Sequence, residues 1–295
     1  MKIQQLIYCF ISLLFFSCIK DVNTNFDYKN KICVLTHINA MSKQNSLYLA
    51  NNIALNDSID NNYLKYIIKD ATITISDDQG QSVLITDLQF NGYYTDSSLF
   101  KFSEGHSYFI SIQTPDGRKA RSSMYIPQGT IVKSVDFDTS SLAYNGGSGG
   151  NIARDIGLNI NFGGSGNYNH AYADVFYSVY FKNTLNFDST FSSATRFYFN
   201  KKATQYLQET TLETTGTIYD YEDNLSDFRV DIDSIVYYIE TDDGTYTKFL
   251  NSLQKQQAAA NDPFAEPALL YSNIKEDGSG IFSGYSVKSK KIKFK

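Results

Sequence analysis

The sequence predicts a mainly β protein: two consecutive β-sandwich-like domains, the second carrying one amphipathic helix. Three observations predict it. The 295 residues include 23 Tyr and 21 Phe but no Trp and only 4 Pro. Aromatic residues interleaved with Ser and Thr suit a half-buried pleated surface and are the reverse of a disordered composition. Apolar and polar residues alternate in short runs, the period of a strand. Gly- and Asp-containing turn signals recur between those runs at the short spacing of a sandwich.

Residues 1–17 read as a secretory leader. Lys2 is the charged start, and residues 6–16 are an apolar run of eleven, too short for a span that needs ~20. Ser17 then precedes Cys18. A small residue before a cysteine at the end of such a run resembles a lipobox, the processing site of bacterial lipoproteins. The resemblance implies cleavage before Cys18, a diacylglycerol on its sulfur and a further acyl chain of the palmitate kind on its amine. Two or more chains anchor stably where one is marginal. An ordinary leader with an incidental cysteine is the competing reading. Residues 18–30 are polar and aperiodic, a lipidated tether. Lys20 and Asp21 loosely resemble the surface-export signals of some Gram-negative lipoproteins.

Removal of the leader leaves 278 residues, enough for two ordinary domains or one large β domain with a sizeable core. The formal charge of −5 becomes −6 once Lys2 departs. A mildly acidic chain without a basic stripe has no electrostatic footprint for nucleic acid. The exception is the tail Lys288, Lys290, Lys291, Lys293 and Lys295, whose alternation with Val287, Ile292 and Phe294 reads as a last strand with a solvated face. Cys9 leaves with the leader and Cys18 is the lipidation site. Cys33 then stands alone in an apolar run, so no intrachain disulfide is available, and a buried, inert thiol is expected.

The first domain, 31–129, reads as successive strands. Residues 31–38 and 46–50 come first, then a polar loop over 51–62. In 71–76, Ala71, Ile73 and Ile75 share one face and Thr72 and Thr74 the other. The turn 77–80 leads to a strand at 82–86, and 91–96 enters another. In 105–114, Tyr108, Ile110 and Ile112 are in phase, and Pro115-Asp116-Gly117-Arg118 is a tight turn before the strand 119–127. The Ala71 strand, Gly80, Gly92-Tyr93, Gly105 with Tyr108, and Gly117 resemble a small Ig-like or transthyretin-like sandwich of the carboxypeptidase-regulatory kind.

The second domain, 130–295, starts with a strand at 131–140. Residues 144–151 are glycine-rich but lack the Gly-Lys-Ser/Thr ending of a phosphate loop, so a hairpin tip is expected. Strands follow at 155–162, 171–183, 194–201, 210–219 and 228–241. Residues 245–260 change period: Tyr246, Phe249, Leu250 and Leu253 fall at i, i+3, i+4 and i+7, an amphipathic helix. Thr245 or Thr247 is the expected cap, and Asn261-Asp262-Pro263 the stop. Beyond it, Pro263 and Pro267 force an extended path. Gly278, Gly280 and Gly284 are expected to allow sharp turns around Ile281, Phe282 and Tyr285.

Several of these residues together carry a likeness. They are the Ser17-Cys18 junction, the strand at 31–38 and the sandwich ending in Ile126-Pro127. With them go the helix, Asp262-Pro263-Phe264, Pro267, Ser272-Asn273-Ile274 and the run Gly278-x-Gly280-Ile281-Phe282-x-Gly284-Tyr285. The chain resembles the Bacteroidota outer-membrane lipoproteins classed as domain of unknown function 4249. The likeness covers nearly the whole mature chain. It implies an outer-membrane lipoprotein, anchored through Cys18 on the surface or periplasmic side and partnered with a TonB-dependent receptor barrel. It supplies no catalytic or ligand residues.

Motifs that carry chemistry are few. His37, His106 and His170 lie in separate segments without zinc-site spacing, so no metal is expected there and each reads as a surface or packed histidine. Gly146-Gly147-Ser148-Gly149-Gly150 spells Gly-x-Ser-x-Gly, but within the glycine-rich run read as a hairpin tip and without the strand-to-helix switch of a nucleophile elbow. Asp220, Glu222 and Asp223 form one acidic group. Asp231 and Asp233, two apart on a strand, form another that can offer hard oxygens to calcium, although a solvated strand face is the simpler reading. Asp57-Ser58-Ile59, Asp188-Ser189-Thr190 and Asp233-Ser234-Ile235 resemble bacterial O-glycosylation sites. Tyr144 and the stretch from Tyr168 to Tyr172 can stack on a ligand or a barrel rim. The expectation is a non-enzymatic, cofactor-free lipoprotein that serves a TonB-dependent transporter in nutrient uptake, with an unidentified small-molecule, peptide or glycan ligand. A structural or adhesive surface module is the alternative, and a cryptic glycan hydrolase using two carboxylates a remoter one.

Overall fold

The computed structural model describes residues 29–53, 63–85, 88–89, 92–139, 143–145, 151–163, 168–182, 188–199, 211–222, 228–260 and 269–294. The leader, Cys18, most of the tether, Asp57-Ser58-Ile59, Pro263 and Pro267 lie outside these residues. The protein is mainly β and sandwich-like, with one α-helix among the described residues.

The first half of the chain supplies β1 (Ile32–Asn39), β2 (Gln44–Asn51), β3 (Thr72–Asp77), β4 (Ser82–Ile85), β5 (Leu88–Gln89), β6 (Gly92–Asp96), β7 (His106–Gln113) and β8 (Lys119–Ile126). The alternation read from sequence is the burial pattern observed. Ile73 and Ile75 on β3 and Tyr108, Ile110 and Ile112 on β7 are buried, with Thr72 exposed on the opposite face. They pack on Ile32, Val34, Leu47 and Leu49 from β1 and β2, each fully buried side chain of this kind contributing ~1.5–3 kcal/mol.

The second half supplies β9 (Val132–Thr139), β10 (Ala143–Asn145), β11 (Asn151–Phe162), β12 (Tyr168–Lys182), β13 (Asp188–Tyr198), β14 (Thr211–Glu222), β15 (Phe228–Asp242), the helix α1 (Thr245–Ala260), β16 (Lys275–Glu276) and β17 (Gly278–Lys293). A second core gathers Ile156, Leu158, Ile160 and Phe162 of β11 against Val175 and Val179 of β12 and Ile235, Tyr237 and Ile239 of β15.

The two cores share one layer. A single eight-stranded sheet runs β13-β12-β15-β17-β1-β2-β6-β5. A five-stranded sheet, β16-β8-β7-β3-β4, closes the first core, and β14 and β11, with β9 and β10 along the far side of β11, close the second. The joint is β17. Its first half pairs in parallel with β1, from Ile32 opposite Gly278 to Asn39 opposite Tyr285. Its second half pairs antiparallel with β15, from Asp242 opposite Tyr285 to Ser234 opposite Lys293. Phe282 accordingly belongs to the first core, while Ile292 and Phe294 pack on the second.

The glycine-rich tail is therefore a strand, where the sequence led us to expect turns. Its glycines are sites of close approach. A Cβ on Gly284 would fall 2.6 Å from Ile126 Cγ1, nearer than real Cβ atoms come. The Ser272-Asn273-Ile274 motif occupies the edge of β17 that β15 leaves open. Asn273 Oδ1 accepts the Phe282 N–H at 2.9 Å and its Nδ2 donates to the Phe282 carbonyl at 2.7 Å. The Asn273 N–H bonds the Gly280 carbonyl at 3.2 Å, and Ser272 Oγ accepts the Gly280 N–H at 3.0 Å. One side-chain amide thus does the work of a missing strand, since buried backbone groups must be paired.

The lysine tail is also more committed than a solvated face. Lys288 pairs with Glu104 at 2.9 Å, whose other oxygen accepts the Gly129 N–H at 3.1 Å, across the link between the two halves. Lys290 donates to the Lys133 carbonyl at 3.0 Å, and Lys291 lies 5.9 Å from the Phe176 ring centre. Cys33 is half-buried, its sulfur 3.5 Å from Ser279 Oγ, rather than fully enclosed.

Candidate functional site

Two places concentrate chemistry. The first lies on the face of the large sheet turned away from both cores, under the start of α1. The expected threonine cap is not used. Asp243 Oδ1 accepts the Thr245 N–H at 2.9 Å, and Asp242 Oδ1 accepts the Gly244 N–H. Two carboxylates at a helix N-terminus satisfy orphan donors and complement the helix dipole, which threonine does only in part. Thr247 is buried instead, its hydroxyl 3.3 Å from His170 Nε2.

This arrangement brings together two histidines that the sequence kept apart. His170 Nε2 lies 3.5 Å from Asp242 Oδ2, an oxygen that accepts no hydrogen bond from the described residues, in a side chain only 2 % exposed. The Asp242 carboxylate raises the His170 pKa above its ordinary value, against the opposing effect of burial. His37 is sandwiched between Tyr246 of α1, at 4.0 Å between ring centres, and Tyr285 of β17, at 4.3 Å. Burial holds His37 down to about 4, ahead of the Asp242 charge that raises it and the nearby His170 that lowers it further.

His37 Nδ1 is 2.8 Å from Ser283 Oγ. Ser283 donates its own proton to the Thr36 carbonyl at 3.3 Å, which leaves the His37 Nδ1–H as the donor to Ser283. A serine, a histidine and an aspartate are thus neighbours. Ser283 is 0 % exposed, so the group is not presented to a substrate as a nucleophile. Burial raises the pKa of Glu240 and of Asp243. The network extends along the same face: Arg196 grips Asp174 at 2.6 and 2.8 Å and lies 4.3 Å over Tyr172, which stacks on Tyr238 at 4.8 Å. Burial, the nearby Glu240 and further charges push Tyr172 up to about 12. The arrangement locks charges between strands and helix.

The second place is a cleft of about 470 Å³ at the end of the first sandwich. Its walls are the part of the β2–β3 crossover from Leu64 to Asp70, which overlaps a 3-10 turn at Tyr63–Tyr66, and the turn between β7 and β8. The crossover is pinned from inside by the fully buried Tyr93, whose hydroxyl donates to the Ile68 carbonyl at 3.2 Å and accepts the Ala71 N–H at 3.0 Å. The turn is pinned by Arg118, bonded to Asp116 Oδ2 through Nε at 2.8 Å and to Asn51 Oδ1 through Nη1 at 2.8 Å. The sequence marked this turn by its Pro-Asp-Gly signal but gave Arg118 no role.

Other sequence candidates fall elsewhere. His106 pairs with Asp78 at 2.9 Å on the first sandwich, apart from the other two histidines. Asp231 and Asp233 flank Ser178: Asp231 lies opposite it in register, and Asp233, in a bulge, accepts its hydroxyl at 2.7 Å. Asp233-Ser234-Ile235 and Asp188-Ser189-Thr190 are strand residues of β15 and β13. The side chains of Asp220, Glu222, Tyr144 and Tyr168, and all of Asp223, lie outside the described set. Among the described residues, no group of three His, Cys, Asp or Glu side chains is arranged to hold a metal.

Two sandwiches fused through one continuous sheet, with a helix packed over two half-buried histidines and a buried aspartate, define a two-module β protein joined by its C-terminal strand. The chain belongs to the family of the domain of unknown function DUF4249, whose model matches residues 19–291. No curated protein matches the chain. The family match runs through both sandwiches and includes Asn273, Gly280 and Gly284.

Proposed function

We propose that this protein is a non-enzymatic, lipid-anchored outer-membrane protein of the Bacteroidota kind that captures a small ligand for a TonB-dependent transporter. The observation that carries the reading is the cleft of about 470 Å³ at the end of the first sandwich. Its volume is that of a small-molecule site, and its walls are fixed by Tyr93 and Arg118. The leader-like residues 1–17 and the Ser17-Cys18 junction support a tether to lipid. Ser283 and Asp242 are buried beside the half-buried His37, which favours binding over hydrolysis. The test is recovery of tagged full-length protein from native membranes in mild detergent. A β-barrel transporter is expected to co-purify, and Cys18→Ala is expected to leave the membrane fraction. Recovery of the chain alone, or an alanine variant that stays membrane-held, contradicts the proposal.

A further inference from the structure

We infer that β1 and β17 form a mechanical clamp, which keeps the chain folded when it is pulled between the N-terminal tether and the C-terminal half. The inference goes beyond the capture reading, and only the source of the load rests on the lipid anchor in that reading. A lipid-held tether delivers force to Ile32, the first residue of β1, while a partner gripping the second sandwich supplies the counterforce. β1 is the strand that follows the tether in sequence. It lies inside the large sheet rather than at an edge, with β17 on one side and β2 on the other.

The pairing sets how that force is felt. β1 and β17 run parallel through eight register pairs, from Ile32 opposite Gly278 to Asn39 opposite Tyr285. In a parallel pair the leading end of one strand and the trailing end of the other lie at opposite ends of the ladder. Force entering at Ile32 and leaving along β17 toward Lys293 therefore runs along the strands. The hydrogen bonds run between the strands, so they share the load instead of parting one by one. The antiparallel pairs of β17 with β15, from Asp242 opposite Tyr285 to Ser234 opposite Lys293, take the same load lengthwise. β2 holds the other side of β1 through four more pairs. Side chains fasten the ladder against sliding. His37 donates to Ser283 Oγ at 2.8 Å, and Ser283 donates to the Thr36 carbonyl at 3.3 Å. A slide of one residue would exchange the buried Ile32, Val34 and Ile38 for Cys33, Leu35 and His37. It would also draw the Val34 carbonyl out of the gap beside Gly280.

Single-molecule force spectroscopy of the purified full-length protein in detergent tests this with two pairs of attachment points. Handles on Lys31 and on the C-terminus shear the ladder. Handles on Lys31 and Lys275, both exposed and both near the end where the ladder begins, peel β1 away from that end. The shear pull is expected to unfold the chain at a peak force about 2-fold or more above the peel, because the paired strands bear the first load together and the second pair by pair. The shear pull is also expected to release both sandwiches in one event, since β17 belongs to both. A smaller ratio overturns the inference, and so does loss of the second sandwich at low force before the main event. Neither result bears on membrane retention or transporter recovery, so failure of the clamp is told apart from failure of the anchor or the partner.

Discussion

Gly280→Ala is expected to cost about 4 kcal/mol, from strain at a glycine-only backbone and forced overpacking together. Gly280 has φ +106, and a Cβ there would lie 2.0 Å from the Val34 carbonyl oxygen and 3.0 Å from its carbon. The obstruction is backbone of the paired strand β1, which cannot rotate aside as a side chain would. Small domains are held by roughly 5–15 kcal/mol in total, so the loss is a large share, and it falls on the strand common to both cores. Gly117→Ala is the control. Its φ is +89 but none of the described residues lies within 4 Å, so only the conformational cost of about 1 kcal/mol applies. Urea denaturation of both variants checks the pair. A Gly280→Ala midpoint no lower than that of Gly117→Ala would show that β17 and β1 are not packed as described.

Asp242→Ala is expected to cost about 3 kcal/mol, the range for breaking a buried pair, reduced because the His170 side chain is 36 % exposed. The substitution removes the acceptor for the Gly244 N–H at the entry to α1 and the counter-charge of His170 together. It also changes the pH dependence. The His170 pKa is raised in the folded state, so its contribution is complete below the ordinary histidine value and is lost as pH rises through the folded value. The His37 pKa is lowered to about 4. Between the ordinary histidine value and 4 the unfolded chain binds a proton that the folded chain refuses, so stability falls as pH falls. The two histidines therefore place a stability maximum near the ordinary histidine value with a decline on both sides, and the raised carboxyls of Glu240 and Asp243 act against the acid limb at its low end. Asp242→Ala flattens the alkaline limb. His37→Phe, which keeps a ring between Tyr246 and Tyr285, flattens the acid limb. Urea midpoints measured from pH 4 to 9 separate the two, and unchanged limbs in either variant would contradict the assignment.

The strands were legible because burial on one face writes a period of two into the chain. Ile73 and Ile75 or Ile156 to Phe162 could hardly lie otherwise. The helix was legible for the same reason at its own period, although its cap was not. Threonine is a common cap, but here Asp242 and Asp243 supply both the acceptors and the charge. The course of the tail was illegible because glycine has two uses. Sequence shows that Gly278, Gly280 and Gly284 lack a side chain; only the register with β1 and the packing of β8 against β17 show that the missing Cβ makes room for Val34 and Ile126. The histidine cluster was hidden for a different reason. His37 and His170 lie on β1 and β12, strands that the sheet separates by β15 and β17. Only the return of α1 over that face brings Tyr246 to one and Thr247 to the other. The cleft wall at Arg118 was half legible, since the turn was marked and the guanidinium's partners were not.

The shared strand is the claim on which the rest stands, because it joins the two sandwiches, and with them the cleft, through one sheet. Hydrogen exchange of the full-length protein across a urea series measures it directly, following peptides that cover 106–113 in the first core and 171–179 in the second. The two are predicted to lose protection together, at one urea concentration. If one core exchanges fully while the other remains protected, β17 does not unite them.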